Sequence, residues 1–356
     1  MFTAAIVGCG PRAWCSFGQY ALEHPDQVKV TALVDPDPHR LAQFGERHGL
    51  SRNRYSSVEQ LLDSGDRTDF IVNMSSDRVH HLTTIPLLEA GNIVLLDKPI
   101  ASTMEQCIEM AHAAKADPDS HLEIFLEMPY TAVYKHVLSI LCSGELGDIL
   151  SIDHKEQVGR SHFIHSFVRG HWNNMATSGP ITVTKSSHDA DILLRMMGRI
   201  PRVISGHAEP LYYAERNAPQ GSAERCSDCQ APCFYDAAEF YQLDIANDLP
   251  QALSLTHDPQ EIQAALRQGR FGRCIYRCDN NVPDSLVVVY HYPDARVRFE
   301  MEGHSPRETR ITKITGTKGI LEADMLAGWI TINGAVRNNW KIVDPHCYGD
   351  QALISR

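Results

Sequence analysis

Residues 6–13 read Ile6-Val7-Gly8-Cys9-Gly10-Pro11-Arg12-Ala13, and they follow an apolar run over 4–7 with the composition of a buried strand. The Gly-x-Gly-x-x-Ala spacing predicts a strand that turns sharply into a helix. Gly8 allows the tight turn, Gly10 lets a pyrophosphate approach bare backbone, and Ala13 is small enough for the helix to pack on the strand. Pro11 suits the first helical position, where its missing N–H costs nothing. The free amides and dipole of such a helix end favour a bound phosphate. A second apolar run over 28–34 ends in Asp35, whose carboxylate can accept both ribose hydroxyls of an adenosine. Asp35 would repel a 2′-phosphate and no Arg follows it directly, so NAD is expected over NADP; Arg40 keeps NADP as the lesser option. Gly8, Cys9, Gly10, Pro11, Arg12, Ala13, Asp35 and Arg40 are therefore the first expected cofactor contacts.

A chain of 356 residues is long for one core, and two domains are expected. Its 43% hydrophobic and 22% charged residues are those of an ordinary globular protein, and a net charge of −11 argues against a phosphate-backbone partner. No apolar run approaches the roughly 20 residues of a membrane span. The turn begins within ten residues of Met1, so no secretory leader is expected. Ten Cys then suggest thiols or metal ligands in a reducing cytoplasm rather than disulfides.

The first third alternates strand and helix patterns: strands over 70–73, 93–96 and 122–126, helices over 38–48, 79–90 and 104–116. This is the pattern of a parallel sheet with crossover helices, an α/β Rossmann domain over 1–122. Ligands lie at the carboxyl ends of such strands, which adds Ser75, Ser76, His80 and the Asp97-Lys98-Pro99 turn to the cofactor contacts. Residues 123–356 form the second expected domain, for substrate and oligomerisation. It is read as α+β, with helices over 134–142 and 188–197, and strands over 149–156, 285–292, 296–301 and 309–315. The alternation predicts a mainly antiparallel open sheet with one face on helices, whose other face is the expected homodimer or homotetramer surface. Residues 159–184 read as loop, and a Cys-rich insertion over 206–282 lacks regular period.

With the turn, Asp35, Asp97-Lys98-Pro99 and the block Lys185-Ser186-Ser187-His188-Asp189-Ala190-Asp191 in view, the chain resembles the Gfo/Idh/MocA family, NAD(P)-dependent oxidoreductases of sugars, inositols and related polyols. Further landmarks resemble a bacterial subgroup, including Glu156-x-Val158-Gly159, His165 to Gly170, the Cys cluster and Gly272-Arg273-Cys274. The resemblance implies that Lys98 lies near the nicotinamide, with Asp97 in place of the usual Glu, and that His188 is the His of a family Asp-x-x-x-His signature. Thr184 occupies the Asp position of that signature, and Lys185 is the plausible substitute. Relatives continue after a Gly-Asp pair into a terminal helix, whereas this chain stops soon after Gly349-Asp350.

Alcohol oxidation by hydride transfer needs a base for the hydroxyl proton and a donor for the developing alkoxide, roles for which Lys98, Lys185 and His188 are the candidates. Glu156, His162, His165, Arg169 and Trp172, with Lys185 and His188, suit a polyhydroxylated ligand: alternating donors and acceptors, and an indole for a sugar face. Arg169 could instead meet a substrate carboxylate. The expected function is an NAD(P)-dependent dehydrogenase of a sugar, glycoside or polyol. The alternatives are a redox-neutral NAD-dependent glycosidase or lyase, and a non-catalytic NAD-binding regulator. Cys226-x-x-Cys229-x-x-x-Cys233 in a periodless stretch fits a structural zinc site, with Cys274 the first choice of fourth ligand and Cys278 the second. Cys9, Cys15, Cys107 and Cys142 read as ordinary buried small residues.

Overall fold

The computed structural model describes residues 1–243, 253, 258–339 and 349–354. The chain forms two compact units, Met1–Tyr130 with Tyr348–Arg356, and Thr131–Cys347. The first changeover therefore falls after the strand at 121–125 rather than within it, because that strand completes the first sheet.

In the first unit, β1 (Phe2–Val7), β2 (Val28–Val34), β3 (Arg54–Tyr55), β4 (Phe70–Asn73), β5 (Ile93–Asp97) and β6 (His121–Phe125) form a parallel sheet of order β3-β2-β1-β4-β5-β6. Strand order reverses beside β1, which puts the β1 and β4 ends at the topological switch point where ligands bind in such sheets. Successive residues of β1 serve opposite cores: Ala4 and Ile6 pack with Phe17, Val30 and Leu33, while Ala5 and Val7 pack with Ala32, Val34, Leu87 and Leu88. Helices cover both faces, so the strands read as continuous apolar runs. The C-terminal helix Gly349–Ile354 joins this unit by burying Leu353 in the first of those cores.

The helix expected from Pro11 is two pieces, Pro11–Cys15 and Phe17–Glu23. The break falls at Ser16, whose backbone leaves helical dihedrals (φ −102°, ψ −99°) while its N–H and hydroxyl both donate to the Arg12 carbonyl, at 3.0 and 2.6 Å.

The second unit contains β7 (Ile149–Gly159), β8 (Val203–Glu209), β9 (Ser285–His291), β10 (Arg296–Ser305), β11 (Thr309–Gly316), β12 (Ile320–Asp324), β13 (Trp329–Ile332) and β14 (Ala335–Asn339). Their order is β14-β13-β12-β11-β7-β10-β9-β8, antiparallel except for the central pair β7 and β10. The sheet is thus mainly antiparallel, with helices Ala132–Ser143 and Ser187–Met197 in the same unit. β3 of the first sheet, and β8 and β12–β14 here, were not read from the sequence. β8 is an edge strand with six exposed residues in seven, so it lacks the buried alternation that marks the other strands. The stretch 159–184 is not plain loop but a series of short helical turns, Arg160–Phe163, a π-helical Ile164–Val168, Met175–Ser178 and Ile181–Thr184. The insertion carries two helices, Ala237–Leu243 and Pro259–Gln268.

Candidate active site

The glycine turn of the first unit behaves as its spacing predicts. Gly8 has φ +89°, and a Cβ there would lie 2.5 Å from the Ser75 amide nitrogen and 2.6 Å from the Met74 carbonyl, so only glycine fits between β1 and β4. A Cβ on Gly10 would meet nothing within 4 Å. Gly10 is therefore free of any packing reason to be glycine, and bare backbone at this spot is what a close-approaching diphosphate requires. The cradle fits a dinucleotide. Asp35, buried at the end of β2, accepts the Cys9 amide on Oδ2 and the Asp37 amide on Oδ1, each at 2.8 Å. These bonds orient the carboxylate and leave lone pairs for ribose hydroxyls. Burial, then Asp35, pushes the Cys9 thiol up to about 12, so it stays protonated. Arg40 is exposed and leans on Asp37 at 3.6 Å.

The β4 and β5 ends are tied to each other. His80, fully buried, sets Nδ1 2.8 Å from the Pro99 carbonyl and Nε2 3.0 Å from the Ser75 carbonyl, so it braces the two turns rather than facing a ligand. The Ser75 amide donates to Asn73 Oδ1, and Ser76 opens the short turn Asp77–Val79. The Lys98–Pro99 peptide is cis, and the Lys98 amide donates to the Asp97 carboxylate at 3.0 Å. Arg12 does not serve as a free phosphate ligand. Its two terminal nitrogens reach both Asp350 oxygens, at 2.8 and 3.0 Å, its Nε lies 3.7 Å from Asp97, and it stacks over Phe125. Burial pushes the Asp97 carboxyl up overall, opposed by Arg12, Lys98 and His80. Asp350 was outside the expected contacts, since nothing in its local sequence reports a partner 338 positions away.

In the second unit, charges line the inward face of β7. His154, Glu156 and Val158 point in by the period of two. Register sets Glu156 opposite Arg310 and His154 opposite Thr312 on β11. Arg310 bonds Glu156 Oε1 at 2.6 Å and Asp189 Oδ1 at 2.7 Å, and His154 lies between Thr312 Oγ1 (2.8 Å) and Asp189 Oδ1 (2.9 Å). Lys185 Nζ stands 3.4 Å from Glu156 Oε1 and 3.9 Å from Glu308 Oε1, and Glu308 receives His162 Nδ1 at 2.7 Å. A ladder of charges thus runs from the half-exposed His162 and Glu308, through the buried Lys185, into a core of Glu156, Arg310, Asp189 and His154. Burial raises Glu156 to about 7 with Asp189 adding to it, while Arg310 and Lys185 pull it down. Burial would also raise Asp189, but Arg310 and His154 hold it well below the usual carboxylate range. Glu308 is likewise held low, its desolvation outweighed by His162, Lys185 and Arg310. His188 is buried on the first turn of Ser187–Met197, next in sequence to Asp189, and Thr184 is buried in the preceding turn. Arg310, Asp189 and Glu308 were missed as site residues. For Arg310 the signal available was a charged residue on the buried period of β11, and for Asp189 its place beside His188 in the first turn of a helix.

Two expected substrate residues are corrected. Arg169 is 1% exposed, and its Nε and Nη2 go to the carbonyls of Arg273 (2.8 Å) and Tyr235 (2.9 Å), so it presents no fork to a ligand. His165 stacks on Phe271 at 4.7 Å with Nδ1 3.3 Å from the Tyr241 hydroxyl; burial first, then His162, lowers it to about 4, and it is a neutral packing residue at pH 7. Trp172 is half-buried against Phe167. Cys15 and Cys142 are exposed, not buried as read, and Cys347 lies outside the described residues. Cys226, Cys229, Cys233 and Cys274 line one small cavity. Among the described residues, no group of three His, Cys, Asp or Glu side chains stands at metal-holding geometry. No described helix is long and apolar enough to cross a membrane.

A doubly wound parallel sheet with this glycine turn, joined to an open-sheet domain, defines a dinucleotide-binding oxidoreductase class. Residues 2–120 match the NAD-binding Rossmann fold of the oxidoreductase family GFO_IDH_MocA, residues 139–337 match its C-terminal alpha/beta domain, and the chain belongs to that family. YteT of Bacillus subtilis is 22% identical over 334 residues, 90% of this chain and 76% of that protein. Inositol 2-dehydrogenase of Ralstonia nicotianae is 24% identical over 146 residues, 40% of this chain and only 42% of that enzyme. The WlbA dehydrogenase of Chromobacterium violaceum, solved with NADH and UDP-GlcNAcA, superposes with TM-score 0.66 at 16% identity over 99% of this chain and 81% of that one, a likeness of fold.

Proposed function

We propose that this protein is an NAD-dependent dehydrogenase that oxidises a hydroxyl of a sugar, glycoside or polyol. The observation that carries the reading is the buried Lys185, its Nζ 3.4 Å from the buried Glu156 Oε1 and adjoining the half-exposed Glu308–His162 pair. Such a cluster suits a group that must take up and release a proton. NAD, when bound, supplies the hydride acceptor, and the Gly8–Gly10 turn and Asp35 would hold its diphosphate and ribose. The neutral amine of Lys185 takes the hydroxyl proton as the carbinol C–H bond breaks, leaving a carbonyl. Glu156 keeps Lys185 oriented, and His188 donates to the oxygen that gains charge, while Lys98 belongs to the cofactor-binding turns of the first unit. Glu308 and His162 offer an acceptor and a donor to neighbouring hydroxyls. A second copy packed on the open face of the C-terminal sheet completes the proposed assembly.

Purified protein given NAD and a panel of sugars, glycosides and inositols should form NADH, read at 340 nm, with a two-electron oxidised product. Lys185→Met should lower kcat/KM by about 10²–10⁴ while NAD still binds. Aglycone release without NADH would move the assignment to the redox-neutral elimination. NAD binding without turnover of any substrate class would leave only a binding protein.

A further inference from the structure

The Cys-rich insertion encloses a charge that no carboxylate among the described residues balances. The guanidinium of Arg169 is 1% exposed. Its Nε donates to the Arg273 carbonyl, its Nη2 to the Tyr235 carbonyl and to Cys226 Sγ at 3.4 Å, and its Nη1 has no partner. Phe240 and Tyr241 lie under its plane. Among the described residues no carboxylate pairs with it. A buried cation held only by carbonyls and rings is strongly disfavoured unless a negative charge lies close by.

The groups that can supply that charge are thiols. Cys226, Cys229, Cys233 and Cys274 line a single cavity of about 20 Å³, room for one water-sized sphere. Cys274 is brought there by the backbone: its amide donates to the Glu224 carbonyl at 2.8 Å, beside an antiparallel bridge between Arg225 and Arg273. Cys278 lines a separate cavity with Tyr276 and Asn280. The Tyr235 amide donates to Cys233 Sγ at 3.4 Å, the kind of outer bond that steadies a ligating thiolate. The apolar cluster of the insertion is small, with Ala237, Tyr241, Ile262 and Leu266 at its centre, so a cross-link would add what its core lacks.

We infer that Cys226, Cys229, Cys233 and Cys274 bind one zinc ion as a tetrathiolate and that the buried Arg169 is its counter-cation. Zn²⁺ with four thiolates carries two negative charges; Arg169 offsets one, and backbone N–H groups share the other. The four thiol protons leave to solvent on binding. No three of the described thiols already stand at ligating geometry, so binding requires the sulfurs to close inward to a Zn–S distance of about 2.3 Å.

The test uses the full chain expressed with supplemented zinc. Metal analysis should find about one zinc per chain. Replacement by Co²⁺ should give the ligand-field and thiolate charge-transfer absorption of a tetrahedral four-sulfur site. Four thiols should resist alkylation until a chelator is added. Cys274→Ser should weaken zinc binding at least about 100-fold, Cys278→Ser should not change it, and Arg169→Gln should weaken it about 10-fold or more. Should Cys274→Ser not fold, the Co²⁺ spectrum and alkylation pattern of the wild type decide alone. Substoichiometric zinc with no sulfur-to-cobalt band, or alkylation at one rate with and without chelator, overturns the proposal. Equal effects of Cys274→Ser and Cys278→Ser would overturn the ligand set, and an Arg169→Gln variant with unchanged affinity would overturn the counter-charge.

Discussion

Glu156 and Arg310 face each other across the central strands β7 and β11, carboxylate to guanidinium at 2.6 Å, with both side chains nearly out of solvent. Arg310 also holds Asp189, so one cation serves two buried carboxylates.

Removing that cation strands the Asp189 anion and leaves Glu156 without its partner. Arg310→Met should destabilise the protein by about 3–5 kcal/mol in urea unfolding, and Arg310→Lys should recover only part, because an ammonium cannot bond both carboxylates as a planar fork does. A loss below about 1 kcal/mol for Arg310→Met would show that the ladder is not the electrostatic core described above.

Glu156 gives a pH dependence with a definite sign. Burial raises its carboxyl from 4.5 to about 7, so the folded chain keeps a proton that the unfolded chain releases. Its contribution to stability is complete below its unfolded value and is lost as pH rises through about 7. Urea midpoints between about pH 5 and pH 8 should therefore fall more steeply in wild type than in Glu156→Gln. Parallel curves would remove the raised Glu156 from the account.

The two turn glycines should separate folding from cofactor binding. Gly8→Ala forces a Cβ into the Ser75 and Met74 backbone at positive φ, and should cost about 2–4 kcal/mol. Gly10→Ala meets open space, so its melting temperature should stay near wild type while NAD affinity by calorimetry drops about 10-fold or more. Equal NAD affinity in Gly10→Ala would displace the diphosphate from this turn.

Asp35 sets the expected cofactor choice. NADP should bind at least about 10-fold more weakly than NAD, and Asp35→Ser should narrow the gap by removing the carboxylate that faces a 2′-phosphate. Competitive titration of both nucleotides reads this directly, and an NADP preference in wild type would reverse it.

The amino-acid order alone determined the first sheet apart from the two-residue edge strand β3. Its central strands are apolar on both faces, so 28–34 and 70–73, with the helix over 104–116, could be read to the residue. The family resemblance pointed to Lys185 and His188, and the donor-and-acceptor segment that begins in β7 pointed to Glu156. Only the tertiary structure decided which charges meet. Arg310 reaches Glu156 and Asp189 through strand register, Asp350 reaches Arg12 from the far end of the chain, and Arg169 is drawn inward by the insertion instead of facing a ligand. Periodicity reports which face of an element is buried, but not what lies across from it; that depends on register between strands far apart in sequence, which the whole core selects at once.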